Sequence, residues 1–185
     1  MIAFLSLFFL YSFLGFLLEV AYGAILRHPK RSRKCLLFLP LCPVYGLGAA
    51  AILSLPPAIL TRPWALFLAG GLMATLIEYA VGLFYEWGAG VRFWDYSHQP
   101  GNLSGLICPL YTLFWGVLSL ILLWFLHPIL QPLLTWIPPW LTLNLFLCFA
   151  ADGLLSLILL HYTGTTDCLM WYRSPRRLPP SPDAM

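Results

Sequence analysis

The sequence predicts an all-α integral membrane protein with about five transmembrane helices, and three observations carry that reading. Of 185 residues, 61% are hydrophobic and 9% charged, against roughly 45–50% apolar and about 25% charged in ordinary soluble domains; mean hydropathy is +0.83. The apolar residues fall in five long stretches, each near the roughly 20 residues that a helix needs to cross the hydrocarbon core. The ten Lys and Arg gather between and after those stretches rather than inside them. This composition excludes a disordered chain and argues against a soluble enzyme. A net charge of +3 is too small to point to nucleic acid as a partner.

The first span covers residues 2–26, broken by Glu19, and stops at the basic run Arg27-His28-Pro29-Lys30-Arg31-Ser32-Arg33-Lys34. No basic segment precedes it and its apolar run exceeds the usual 7–15 or so residues of a signal peptide, so it reads as an uncleaved span. The second, 35–60, holds Pro40, Pro43, Gly46, Gly48, Pro56 and Pro57. Its ends are expected to be broken or re-entrant, which a membrane tolerates only where neighbouring protein satisfies the freed backbone groups. The third, 64–87, contains Glu78 and Glu86; the fourth, 106–126, contains Pro109; the fifth, 140–162, contains Asn144 and Asp152. Pro128, Pro132, Pro138 and Pro139 make the fourth-to-fifth connection a short apolar hairpin at the outer interface. Residues 1–162 thus form the transmembrane domain. The Pro-rich residues 163–185 read as a disordered cytoplasmic tail.

Charge placement gives an orientation. With the amino terminus outside, nine of the ten basic residues lie inside: five from Arg27 to Lys34, Arg92 in the third loop, and Arg173, Arg176 and Arg177 in the tail. Arg62 alone is outside. Four-span and six-span arrangements each put one of these segments on the wrong side. The expected orientation puts the carboxyl terminus in the cytoplasm, with the basic run meeting anionic lipid.

Two passages repeat. Leu17-Leu18-Glu19-Val20-Ala21-Tyr22-Gly23 resembles Leu76-Ile77-Glu78-Tyr79-Ala80-Val81-Gly82, and Cys42-Pro43-Val44-Tyr45 resembles Cys108-Pro109-Leu110-Tyr111. Successive pairs of spans would then form two parallel two-helix repeats plus a fifth helix, related by an axis along the membrane normal, with the breaks at Pro43 and Pro109 facing one another.

Carboxylates inside spans are the costliest residues here. Each falls on a polar stripe: Ser12, Gly15, Glu19, Tyr22 and Gly23; Gly71, Thr75, Glu78, Gly82 and Glu86; and Asn144, Cys148, Asp152 and Ser156. Two readings are open. Glu19, Glu78 and Asp152, with Asn144, form a proton, cation or substrate pathway near the midplane, or the carboxylates hold helices together through hydrogen bonds. Glu19 and Glu86, near the cytoplasmic ends, can also reach headgroup water or Arg27 and Arg92. The loop from Arg92 to Gly105 is the most distinctive passage. Trp94, Asp95, Tyr96, Ser97, His98 and Asn102 are either belt aromatics and turn caps or a cytoplasmic gate and docking surface. Pro43, Tyr45, Gly46 and Pro109 mark the helix breaks. Five cysteines without a C-x-x-C pair give neither a metal nor a disulfide signature and read as small apolar residues. His28, His127 and His161 sit at span ends. Asn102-Leu103-Ser104 matches a glycosylation acceptor on the wrong side of the membrane, and no G-x-x-x-x-G-K-[ST] is present, so ATP hydrolysis in this chain is not expected.

At the Trp94-Asp95-Tyr96-Ser97 loop the sequence resembles the CmpB-like family of ABC transporter type IV permeases. Matching residues are Gly15 and Glu19; Pro40, Pro43, Tyr45, Gly46 and Gly48; Glu78 and Glu86; and Trp94, Asp95, Tyr96, Ser97, Asn102, Leu103, Gly105, Ile107, Cys108, Trp115 and Gly116. Leu39 stands where that pattern has Gly, and Leu106 where it has Arg. The resemblance implies a permease subunit of a bacterial inner membrane for an unknown substrate, a separate ATPase subunit docked on cytoplasmic surfaces, and, given so few spans, a homodimer. No cofactor is implied. The alternative is a non-transporting membrane protein, either an intramembrane enzyme using Glu78, Asp95 and His98 or a scaffold.

Overall fold

The computed structural model describes residues 1–25 and 35–170. The basic run from Arg27 to Lys34 and the three tail arginines lie outside the described residues. The chain is helical, with no strand among the described residues: α1 (Ile2–Ile25), α2 (Pro43–Leu53), α3 (Pro57–Leu60), α4 (Pro63–Ala89), α5 (Pro109–Ile121), α6 (His127–Trp136) and α7 (Pro139–Thr163). Prolines open α2, α4, α5 and α7, where a missing N–H costs nothing and the fixed φ suits a first helical turn. Gly90 and Gly164, at φ 67° and 63°, close α4 and α7 in the left-handed conformation.

Four helical runs are long and apolar enough to cross a membrane: α1, α4, Pro109–Trp136 and α7. Trp64 and Trp87, near the two ends of α4, are both strongly exposed. They are separated by about 34 Å at 1.5 Å per residue, close to the roughly 30 Å hydrocarbon core whose edges favour Trp. Between them Leu68, Leu72 and Leu76 stay exposed on one face, as a lipid-facing stripe does.

The second apolar stretch differs from a full span. Its helix, α2, is 11 residues, or about 16 Å. Residues 35–42 run as non-helical chain before it. Pro40 and Pro43 forbid continuous helix there, and the freed N–H groups find partners inside the protein. Leu37 N–H donates to Ser156 Oγ at 2.9 Å, Phe38 N–H to Asp152 Oδ2 at 3.0 Å and Leu39 N–H to the same oxygen at 2.7 Å. Cys42 N–H donates to the Ser12 carbonyl at 2.9 Å.

The fourth stretch also runs differently. Instead of a hairpin at Pro128 and Pro132, the helix continues through a π turn, Leu122–Leu126, into α6 and breaks only at Ile137. The wider turn sits just ahead of Pro128, where the proline ring would crowd the carbonyl four residues back in a regular α-helix. His127 at this junction meets Tyr11 of α1, Tyr11 Oη lying 2.9 Å from His127 Nδ1.

α1 packs on α2, α4 packs on α5, and α2 against α4 joins the two pairs. Close approach is a matter of small residues. A Cβ on Gly46 would lie 2.2 Å from Ser12 Oγ and 2.4 Å from the Phe8 carbonyl oxygen. A Cβ on Gly71 would lie 2.9 Å from the Thr112 carbonyl oxygen. Ser12 and Gly71 are separated by the same 59-residue offset as Glu19 and Glu78, and Gly46 and Thr112 by the same 66-residue offset as Tyr45 and Tyr111. α7 lies outside these pairs, tied to α1 by the buried Ser6–Thr142 hydrogen bond of 2.8 Å. Past Thr163 the chain is not wholly a tail: Thr166–Met170 forms a 3₁₀ turn, and Leu169 is fully buried with Leu37, Tyr85, Phe93 and Leu160.

Candidate functional site

The two helix pairs enclose a cavity of about 360 Å³, within the range of small-molecule sites. Glu19 and Tyr22 come from α1, Tyr45 from α2, Glu78 from α4, and Tyr111 and Trp115 from α5. The polar stripes of α1 and α4 explain this placement. Residues three and four apart share a helix face, so Ser12, Gly15 and Glu19, and likewise Gly71, Thr75 and Glu78, turn inward together.

Each glutamate is held by aromatic donors. Tyr45 Oη donates to Glu19 Oε1 at 2.7 Å. The Tyr45 ring fills the space left by Gly15, where a Cβ would lie 2.3 Å from it, and its centroid is 5.2 Å from that of Trp115. Glu78, buried at 5% exposure, accepts from Tyr96 Oη at 3.0 Å on Oε1 and from Trp115 Nε1 at 2.9 Å on Oε2. Tyr96 in turn stacks on Tyr111, centroids 4.3 Å apart and planes within 16°. A carboxylate so deep is tolerated only with such partners.

The Arg92–Gly105 loop is the device that brings Tyr96 there. Tyr96 N–H donates to the Gly105 carbonyl at 2.7 Å, and Asn102 Nδ2 donates to the Gln99 carbonyl at 2.8 Å while its Oδ1 accepts from Gly105 N–H at 3.1 Å. Gly105 takes φ 70°, and a Cβ on it would meet Ser97 Oγ at 2.6 Å and Asp95 Oδ1 at 2.7 Å. Asp95 caps the turn, accepting from the Ser97 hydroxyl and from Ser97 N–H at 2.9 Å. The Ser97 hydroxyl and N–H, helped by the charges of Arg92 and His98, hold the Asp95 carboxyl below the usual aspartate range. Arg92 pairs with Glu86 at 2.6 Å, and that hydrogen bond keeps its guanidinium more firmly protonated than usual. Trp94 Nε1 donates to the Leu106 carbonyl at 2.8 Å.

Of the candidate residues that the sequence singles out, the fold collects Glu19, Glu78, Tyr45, Trp94 and Tyr96 on one cavity wall. Gly46 and Pro43 shape α2 beside it, and Pro109 opens α5 under the loop, a Cβ on Gly101 lying 3.2 Å from its ring. Asp95, Ser97 and His98 are exposed on the loop. Asp152 is elsewhere, bound to the 38–39 backbone. Asn144 is exposed and donates to the Trp140 carbonyl at 2.8 Å. The four-residue spacing that linked them drifts about 40° per step around a helix of 3.6 residues per turn, which turns Asn144 about 80° away from Asp152. Two thiols also line the wall, Cys35 and Cys42, their Sγ atoms 3.0 Å apart. The site roles of Tyr111 and Trp115 escaped sequence reading. Tyr111 is the repeat partner of Tyr45, and Trp115 follows it by one helical turn on the same face.

Residues 6–157 match the family model described as "Putative ABC-transporter type IV". The chain belongs to that family. The matched region runs from α1 into α7 and includes every residue named on the cavity wall. No curated protein and no solved structure matches significantly. Of the two departures from the type IV pattern, Leu39 keeps its N–H on Asp152, and Leu106 is fully buried with its carbonyl on Trp94.

Proposed function

We propose that this type IV family member is the membrane-embedded permease subunit of an ATP-driven transporter in a bacterial inner membrane, and that the cavity between the α1–α2 and α4–α5 pairs holds its substrate. The observation that carries this reading is the cavity itself: two inward carboxylates, each fixed by aromatic donors, at the meeting of two matched helix pairs. Transport folds built from repeats put their sites at such a junction near the midplane. The sequence has no phosphate-binding G-x-x-x-x-G-K-[ST], so ATP is hydrolysed by a separate subunit. With the amino terminus outside and the carboxyl terminus cytoplasmic, the Arg92–Gly105 loop is on the cytoplasmic side, and its exposed residues Asp95, Ser97 and His98 form the docking surface. Two copies complete the pathway as a homodimer surrounded by lipid.

An intramembrane enzyme using Glu78, Asp95 and His98 has less support. Glu78 is buried, Asp95 and His98 are exposed, and Asp95 is engaged in its own turn.

Purification of the full chain in mild detergent, with bound proteins identified by mass spectrometry, tests the proposal. A P-loop ATPase is expected to co-purify and to be lost on Asp95→Lys in the docking loop. A monomer with bulk lipid alone overturns the transporter reading. Labelling of Ser97→Cys by an impermeant thiol reagent added from outside overturns the orientation.

A further inference from the structure

The chemistry of the cavity wall restricts what it can hold. Half of the side chains that line it are aromatic, and its only carboxylates among the described residues are Glu19 and Glu78. No Lys, Arg or His lines it among the described residues. An anion is disfavoured twice over, by the two carboxylates and by the negative faces of the rings. A neutral apolar molecule would make no use of the two acids, which would simply stay protonated beside it. A small divalent cation needs six or more oxygen ligands in Ca²⁺ or near-octahedral Mg²⁺ geometry. Here the carboxylate oxygens come from two glutamates already accepting from Tyr45, Tyr96 and Trp115, and the remaining wall offers phenol hydroxyls, the two thiols, ring carbon and aliphatic side chain rather than a hard oxygen shell. Among the described residues no group of three His, Cys, Asp or Glu is placed to hold a metal ion.

What matches all of these features is a diffuse positive charge on an apolar body. Ring faces attract such a charge through their quadrupole, more strongly once it is desolvated. The stacked Tyr96–Tyr111 pair and the tilted Tyr45–Trp115 pair bring four rings next to the two carboxylates that they or their neighbours hydrogen-bond. The aromatic donors keep both acids aimed at the cavity. We infer that the cavity binds an organic monocation, a quaternary ammonium or protonated amine carrying an apolar group, with Glu19 and Glu78 as counter-charges and the surrounding aromatic rings as its walls. The inference rests on the reading of this cavity as the substrate site and names the class of substrate.

Calorimetric titration of the purified full-length protein in detergent tests it without needing a transport partner. Benzyltrimethylammonium is the probe. Neopentylbenzene, its uncharged isostere, and benzenesulfonate, an anion of similar size, are the comparators. The cation is expected to bind at least tenfold more tightly than either. Glu19→Gln and Glu78→Gln are each expected to weaken the cation by about tenfold or more while leaving the isostere unchanged. Glu19 is only half-buried, so E19Q keeps the test decisive if E78Q fails to fold. Equal binding of cation and isostere overturns the inference, and so does cation affinity indifferent to E19Q in folded protein. If an ATPase co-purifies and drives flux while the cation does not bind, the transporter reading stands and this inference falls. If the cation binds with the expected glutamate dependence and no ATPase is ever found, the ligand class stands and the transporter reading falls.

Discussion

Replacing Asp152 with alanine is the sharpest test of how the second apolar stretch is held. Its carboxylate accepts from Phe38 N–H at 3.0 Å and Leu39 N–H at 2.7 Å, in a chain segment that has no helix to satisfy its own amides. Alanine strands both donors where lipid and protein, not water, surround them. Each stranded donor costs about 1–3 kcal/mol, so the expected loss is about 2–6 kcal/mol. Asparagine keeps a carbonyl oxygen at nearly the same place but gives up the charge assistance, which roughly halves the strength of these bonds. The predicted order of stability is wild type, then D152N, then D152A. For a chain of this size the alanine change corresponds to a fall in Tm on the order of 10 °C. The assay is thermal unfolding in dodecyl maltoside read by a fluorogenic maleimide, in a background with Cys108, Cys148 and Cys168 changed to alanine. The remaining thiols, Cys35 and Cys42, are buried at the two ends of the same segment, so loosening it exposes them before global unfolding. If D152A labels at the wild-type rate and melts at the wild-type temperature, Asp152 does not anchor the segment and the reasoning fails.

Gly46→Ala puts a methyl 2.2 Å from Ser12 Oγ and 2.4 Å from the Phe8 carbonyl oxygen; the backbone atom cannot rotate away, so α1 and α2 must separate, at a cost of about 1–3 kcal/mol for overpacking. The same thermal assay checks it, and Gly48→Ala, where a Cβ meets nothing within 4 Å, serves as the near-neutral control. The Arg92–Gly105 loop has its own pH dependence. Because the folded Asp95 carboxyl sits below the usual aspartate range, its contribution is fully present above the unfolded value and is lost as pH falls through the folded one. Protease resistance of the loop should therefore decline in acid below about pH 4, and Asp95→Asn should be more susceptible at neutral pH and show no further acid step; an unchanged profile in D95N would count against the turn as described.

Much of the architecture was legible in the sequence because lipid leaves the chain few choices. Backbone groups with no water to bond must close on themselves, so long apolar runs such as 2–26 and 140–162 declare helices directly. Where prolines interrupt the run, the pattern signalled a break but not its form. Residues 35–42 became non-helical chain because Asp152 and Ser156, more than a hundred residues away, supply acceptors for it. The interval around Pro128 stayed helical because a π turn absorbed the ring. Neither partner choice nor turn width leaves a trace in local composition.

The candidate site divides in the same way. Glu19 and Glu78 announce themselves, since an acid in a membrane helix demands a partner, and the recurrence of Cys-Pro-x-Tyr marked Tyr45 and Tyr111 as counterparts. The sequence could not distinguish Asp152 from Glu78, both acids well inside a span. All three are hydrogen-bonded, but two face a common cavity and one faces a backbone.

By itself, then, the sequence determined the helical membrane architecture and the short set of residues with chemistry to offer, both of which follow from desolvation and periodicity along one chain. Only the tertiary structure decided which acids share a cavity, that the Arg92–Gly105 loop delivers Tyr96 to Glu78, and that Asp152 belongs to the scaffold. Those outcomes depend on which helices cross closely enough to touch, and close crossing is set by contacts such as Gly46 on Ser12 and Gly71 on Thr112, between residues that no local pattern connects.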